Sequence, residues 1–233
     1  MTVDGTIRVF LVDDQELVRT GFAMIIDATV GMRVVGGAAD GDAAVAALHR
    51  PEHRADVVLM DIHMPGIDGI EATRRLLSAP DPPRVVMLTT FDTDELLVAA
   101  LRAGASGFLL KDAGAAELVA AVRAAAVGEA PIAPRLMRRL VDSYVLTGEP
   151  ATATEPAPAE ASAVAGLTAR EREILAAVGL GLTNAEIAVR LHVAESTVKT
   201  HLGSVLRKLG LRDRVQAVIV ARTAGLSAPP ASL

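Results

Sequence analysis

Asp13 and Asp14 follow directly on the short apolar run "VFLV" (9–12), and Asp61 follows on "VVLM" (57–60). Lys111 follows a third run, "GFLL" (107–110), and Thr89 closes a fourth, "RVVMLT" (84–89). Taken singly, each has a plain explanation: acids cap the helix after a strand, Thr suits strands, and a strand-end Lys keeps its ammonium in water. Brought together, they describe one kind of chemistry. Three clustered carboxylates repel one another unless a cation neutralises them, and an all-oxygen donor set with room for water suits Mg2+ better than a transition metal. A Lys ammonium and a Thr hydroxyl beside a metal-bound Asp supply donors for the oxygens of a phosphoryl group, which leaves Asp61 as the nucleophile that carries it.

For these residues to converge, the strands must run parallel. Apolar runs at 7–12, 32–38, 57–60, 84–89 and 107–110 alternate with helical stretches near 15–28, 41–50, 67–78, 93–103 and 114–127. Parallel strands need such crossovers, so the expected fold of residues 5–128 is α/β, a five-stranded parallel doubly wound (flavodoxin-like) sheet with helices on both faces. Ligands of such sheets bind outside the carboxyl ends of the strands. Four of the five strands end there in a charged or hydroxyl-bearing residue.

The remainder differs in charge. Residues 1–128 carry a net charge of −7 and residues 167–233 one of +4. Between them, 129–166 reads as a linker: its first part has helical character, and "TGEPATATEPAPAEASAVAG" (147–166) has no apolar period. Residues 167–228 read as a small all-α unit of four helices. Thr168 with Glu171 and Thr183 with Glu186 fit capping boxes, and a third helix should start near Glu195 and end before Gly210. On that third helix Val198, Leu202, Val205, Leu206 and Leu209 form an apolar stripe, and Ser196, Lys199, Thr200, Gly203 and Arg207 share the other face. A solvated face would look the same by periodicity alone. The short turn before it, the positive charge of this part and the slimness of the face favour entry into a DNA major groove. The last helix, 214–223, carries Val215, Val218 and Ile219 on one side, for core packing or for pairing with a two-fold mate.

The chain has no cysteine, which excludes disulfides and thiolate metal sites. The N-terminal apolar run is too short for a signal peptide or a membrane span, so a cytoplasmic location without membrane association is expected.

The motifs "LVDDQ", "LMDIHMPGIDG", "MLTTF" and "GFLLKD" resemble those of the receiver domain of two-component response regulators. The resemblance implies that Asp14 and Asp61, with the backbone carbonyl of His63, bind Mg2+ and that Asp13 supports the ion mostly through water. It also implies that Thr89 and Lys111 hold the phosphoryl oxygens and that Phe108 is an aromatic switch, drawn inward when Thr89 moves. Asp112 stands where many receivers have Pro. The stretches "LTAREREIL", "NAEIA" and "ESTVKTHLGSVLRKLG" resemble the LuxR-type helix-turn-helix domain, and the two domains together define the NarL/FixJ family. Lys199, Thr200 and Gly203 are the expected base contacts; Thr197, His201, Arg207 and Lys208 are expected on phosphates. Ala194 replaces the usual Ser or Thr cap of the recognition helix, a loss of about 1 kcal/mol.

The implied function is a phosphorylation-switched transcription factor rather than an enzyme. A sensor histidine kinase would phosphorylate Asp61, and the protein would bind a double-stranded DNA operator as a homodimer, with RNA polymerase as a further partner. Two rivals can be weighed. An aspartate-nucleophile phosphatase usually needs a second Asp two positions on, where this chain has His63. A phosphorylation-independent DNA-binding regulator with a receiver-like interaction domain would not need the acid, Thr and Lys positions to be intact.

Overall fold

The computed structural model describes residues 5–90, 94–132 and 164–226. The chain divides into two compact units, each with its own apolar core. In the first, β1 (Ile7–Val12), β2 (Met32–Ala38), β3 (Val57–Asp61), β4 (Arg84–Thr89) and β5 (Gly107–Leu110) form a parallel sheet in the order β2-β1-β3-β4-β5. After them in turn come α1 (Glu16–Asp27), α2 (Gly41–Leu48), α3 (Gly69–Leu77), α4 (Asp94–Arg102) and α5 (Ala115–Ala126). This is the doubly wound sheet expected from the alternation of runs.

Every residue of β3 and all of β4 except Arg84 are buried, which is why these strands read as unbroken apolar runs. Val9, Leu11, Val57, Leu59, Val86 and Leu88 turn to one face and pack with Phe22 and Ile26 of α1 and Leu118 and Val122 of α5. Phe10, Val58, Met60 and Met87 alternate with them and turn to the other face, where the Thr73 hydroxyl of α3 lies 3.6 Å from the Met87 sulfur. The register sets Val12 beside Met60, Asp61 beside Leu88 and Thr89 beside Leu110, so the strands finish on one rim.

After α5 the chain turns at Gly128 (φ 79°) and returns along β5. The Phe108 N–H donates to the Pro131 carbonyl at 3.0 Å, and a Cβ on Gly107 would stand 2.5 Å from the Pro131 ring. The contact covers part of an edge that would otherwise offer unpaired amides.

The second unit contains α6 (Ala169–Gly179), α7 (Asn184–Leu191), α8 (Glu195–Leu209) and α9 (Arg214–Thr223). Both capping boxes form, Thr168 with Glu171 and Thr183 with Glu186. Val198, Leu202 and Val205 of α8 are buried with Leu175, Val178 and Ile187, while Leu206 and Leu209 pack at the edge of this cluster. On α9, Val215 is buried and Val218 joins the cluster; Ile219 is half-buried. Helix α8 ends at Gly210 in the left-handed region (φ 65°), with the Leu211 N–H on the Leu206 carbonyl at 2.8 Å. The helical character expected early in the linker falls on positions outside the described residues, apart from 129–132, as do 227–228. Among the described residues no helix is long and apolar enough to cross a membrane.

Candidate functional site

The turn after β1 places Asp13 and Asp14 next to Asp61, the last residue of β3, and one ligand atom from each lies within 4.8 Å of the others. Asp13 and Asp61 are 1% and 2% exposed, whereas Asp14 faces solvent. From the end of β5, the Lys111 ammonium reaches both buried acids, 2.8 Å from Asp13 Oδ2 and 2.8 Å from Asp61 Oδ2. Asp13 Oδ1 accepts the Gln15 N–H at 2.9 Å, and Asp61 Oδ1 accepts the His63 N–H at a longer 3.4 Å. One cation thus serves two buried carboxylates. Burial pushes the Asp61 carboxyl above its ordinary range, Asp13 adds to this, and Lys111 offsets only part of it. Burial alone would lower the Lys111 ammonium, but the two carboxylates outweigh it and raise it. A set of oxygen donors short of positive charge suits a hard divalent cation.

The chain beyond Asp61 is held by a backbone contact that only glycine permits. The Gly69 N–H donates to the Ile62 carbonyl at 2.9 Å, and a Cβ on Gly69 would lie 1.9 Å from the Asp61 carbonyl oxygen. Asp68 caps α3 by accepting the Glu71 N–H at 2.7 Å. Strand end and helix start are therefore fixed against each other, with Asp61 at the junction.

Thr89 is buried at the end of β4, and its carbonyl accepts the Lys111 N–H at 2.9 Å. Phe108 is 3% exposed. It pairs with Met87 of β4, two positions before Thr89. Sequence reasoning also missed Arg19, whose Nη1 donates to the Asp13 main-chain carbonyl at 2.6 Å. It lies six positions beyond the acid, a spacing that no periodic signal marks.

On α8, Ser196, Lys199, Thr200, Gly203, Arg207 and Lys208 are exposed, and Thr197 and His201 are half-buried. The Thr200 hydroxyl donates to the Ser196 carbonyl at 3.0 Å, the Lys199 ammonium lies 3.7 Å from Glu195, and a Cβ on Gly203 would meet nothing within 4 Å. No side chain caps the helix at Ala194. Lys208 differs from its neighbours: its ammonium donates to Glu171 Oε2 at 2.7 Å, the same oxygen that accepts the Thr168 N–H at 2.8 Å. Lys208, with the Thr168 N–H, holds the Glu171 carboxyl down at about 2.

Three further cations of this unit have donors committed within it. Arg170 donates to the Leu191 carbonyl and Arg222 to the Gly179 carbonyl, each at 3.0 Å. Arg214, 9% exposed, donates to the Leu182 carbonyl and to Asn184 Oδ1. These guanidiniums keep their positive charge, but donors of each are committed within the unit.

Residues 9–123 match the response regulator receiver domain family, and residues 165–221 match the luxR family of bacterial regulatory proteins. The chain is 44% identical over 220 residues to the uncharacterized transcriptional regulatory protein YxjL of Bacillus subtilis, covering 94% of this chain and 97% of that protein. It is 37% identical over 224 residues to the DNA-binding transcriptional activator DevR/DosR of Mycobacterium tuberculosis, covering 96% and 98%. Among solved structures, a LuxR-family two-component response regulator from Aurantimonas sp. SI85-9A1 matches with a TM-score of 0.54 and 34% identity, over 60% of this chain and 99% of that one. A receiver and a LuxR-type helix-turn-helix thus lie in one chain, and relatives align with it over nearly their whole length, so the chain belongs to the NarL/FixJ-type response regulators, DNA-binding regulators of transcription controlled by phosphorylation.

Proposed function

We propose that Asp61 is the phosphoacceptor and that a sensor histidine kinase is its donor. The observation that carries this is the single Lys111 ammonium shared by two buried acids, with Asp14 beside them. An Asp61 carboxylate oxygen would form a P–O bond as the P–N bond of a phosphohistidine breaks, giving an acyl phosphate on Asp61 and a free imidazole on the kinase. Lys111 and the Thr89 hydroxyl would then hold phosphoryl oxygens. Asp14 and Asp61, with the His63 carbonyl, would hold Mg2+, and Asp13 would support it through water. When bound, the ion supplies positive charge for the transferring phosphoryl oxygens.

The exposed face of α8 is the proposed reader of DNA, with Lys199, Thr200 and Gly203 toward base edges and Thr197, His201 and Arg207 toward phosphates. Lys208 is proposed on a phosphate too, but reaching one would take its ammonium from Glu171. Domains at 5–128 and 167–228, joined by the linker 129–166, favour a signal passed as a population shift to a homodimer, whose paired α8 helices bind a two-half-site operator with raised effective concentration.

The test is phosphate incorporation from a small acyl phosphate with Mg2+, combined with sedimentation and operator titration. About one phosphate per chain should enter at Asp61, dimerisation and operator affinity should rise with it, and Asp61→Asn should show neither. Equal labelling of the Asn variant would place the nucleophile elsewhere.

A further inference from the structure

We infer that Arg19 is a positioning residue for the acid pair, fixing the peptide that joins Asp13 to Asp14 and thereby the direction of the Asp14 carboxylate. The inference rests on the Mg2+ reading of the acidic cluster.

The hydrogen bonds around this turn show why such a residue is needed. The Asp13 N–H goes to the Ala38 carbonyl at 3.3 Å, where the sheet ends. The Arg19 N–H goes to the Gln15 carbonyl at 3.2 Å, where α1 begins its own bonding. The carbonyl of Asp13 falls between these two systems, and its partner is the Arg19 guanidinium at 2.6 Å. Because that carbonyl and the Asp14 nitrogen belong to one planar peptide, holding the first orients the second.

The two acids differ in how much they need this. The Asp13 carboxylate has its own supports, the Gln15 N–H at 2.9 Å and Lys111 at 2.8 Å. Asp14 is exposed, and among the described residues no protein donor reaches its carboxylate. Its direction is inherited from the backbone.

Helix stability does not explain a cation here. Arg19 lies near the N-terminus of α1, where positive charge opposes the helix dipole. Arginine does offer a planar fork of donors on a long stem. A Cβ on Gly37 would lie 3.9 Å from Arg19 Cδ, so the stem runs beside the end of β2.

The experiment uses the full chain with Arg19→Met, which keeps an apolar stem beside Gly37 but removes the donor, and Arg19→Lys, which restores one donor. Mg2+ binding to the unphosphorylated protein is followed by calorimetry, and Mn2+ binding by paramagnetic broadening of the Asp14 and Gln15 amide resonances. Phosphate incorporation from a small acyl phosphate is measured at limiting and saturating Mg2+. Arg19→Met should weaken Mg2+ about tenfold, in the range typical of residues that orient metal ligands, and Arg19→Lys should recover much of the loss. The labelling defect should disappear at saturating Mg2+, with the KM for the phosphodonor unchanged. Parent-like Mg2+ affinity in Arg19→Met would overturn the inference alone. So would a defect that persists at saturating Mg2+ as a raised phosphodonor KM, because it would put Arg19 on the donor rather than behind Asp14. A parent chain that binds no Mg2+ would overturn the metal reading and this inference with it.

Discussion

The two units treat charge in opposite ways. In the first, Asp13 and Asp61 are buried side by side with one ammonium between them, and the Asp61 carboxyl is raised as a result. In the second, the buried ionic groups are matched: Glu171 accepts Lys208 and Thr168, Asp213 caps α9 through the Gln216 N–H, and Arg214 holds a carbonyl and an amide oxygen. The face of α8 that would meet a ligand carries its charge in solvent. A buried charge left short of partners points to chemistry, because folding alone would remove it. A buried charge with every partner in place points to architecture. Recognition of a large polyanion needs neither kind, only exposed donors on a rigid frame.

The comparison can be broken or sharpened by substitution. The largest effect is expected from Gly69→Ala, since its methyl would stand 1.9 Å from the Asp61 carbonyl oxygen. Denaturant unfolding should show the first unit destabilised by about 3 kcal/mol, the upper part of the overpacking range, and phosphate labelling should fall. A fully stable, fully labelled Ala variant would mean that the turn is softer than the structure shows.

Lys208→Met comes next and decides whether Lys208 belongs to architecture or to recognition. With Lys208 as its main support, the Glu171 carboxyl lies near 2 instead of its ordinary 4.5. A lowered carboxyl contributes stability at pH above 4.5 and loses it as pH falls toward 2. The variant should melt lower at neutral pH and show a flatter acid limb. If its melting and acid profile match the parent while affinity for all DNA sequences drops, the ammonium serves phosphates instead.

Asp61→Asn should stabilise the metal-free first unit, because burial and the neighbouring Asp13 raise the Asp61 carboxyl. The sign follows from the raised carboxyl: in the parent, folding opposes ionisation, so the penalty is absent below the ordinary carboxylate range and complete above the raised value. The advantage of the Asn variant should therefore grow as pH rises through that window, and thermal melts at several pH values would register it. An advantage independent of pH would show that ionisation is not its source. The smallest effect is expected from Ala194→Ser, which restores a capping oxygen to α8 and should add about 0.5–1 kcal/mol to the second unit. No gain in melting temperature would mean that the first turn is already satisfied.

Much of this was legible in the sequence wherever the signal is local. Apolar runs stop at Asp13, Asp61 and Lys111 because the sheet stops there, and Thr168/Glu171 and Thr183/Glu186 mark helix starts because a capping box spans three residues. What could not be read depends on side chains that cross between elements. Lys208 held by Glu171 and Arg170 closing the end of α7 join residues far apart in the chain. No periodicity records them.

Gly203 has a consequence on a longer timescale. A side chain added there would meet no neighbouring atom, and the backbone is ordinary helix, so the position is free of both packing and conformational constraint. Elsewhere on α8, Val198, Leu202 and Val205 cannot change without disturbing the core of the unit. A descendant could therefore substitute this glycine and present a different group on the exposed face of α8 while the domain keeps its fold. Under the proposed reading of that face, binding preference can drift at Gly203 independently of stability, which makes it a position where a duplicated copy of the gene could begin to acquire targets of its own.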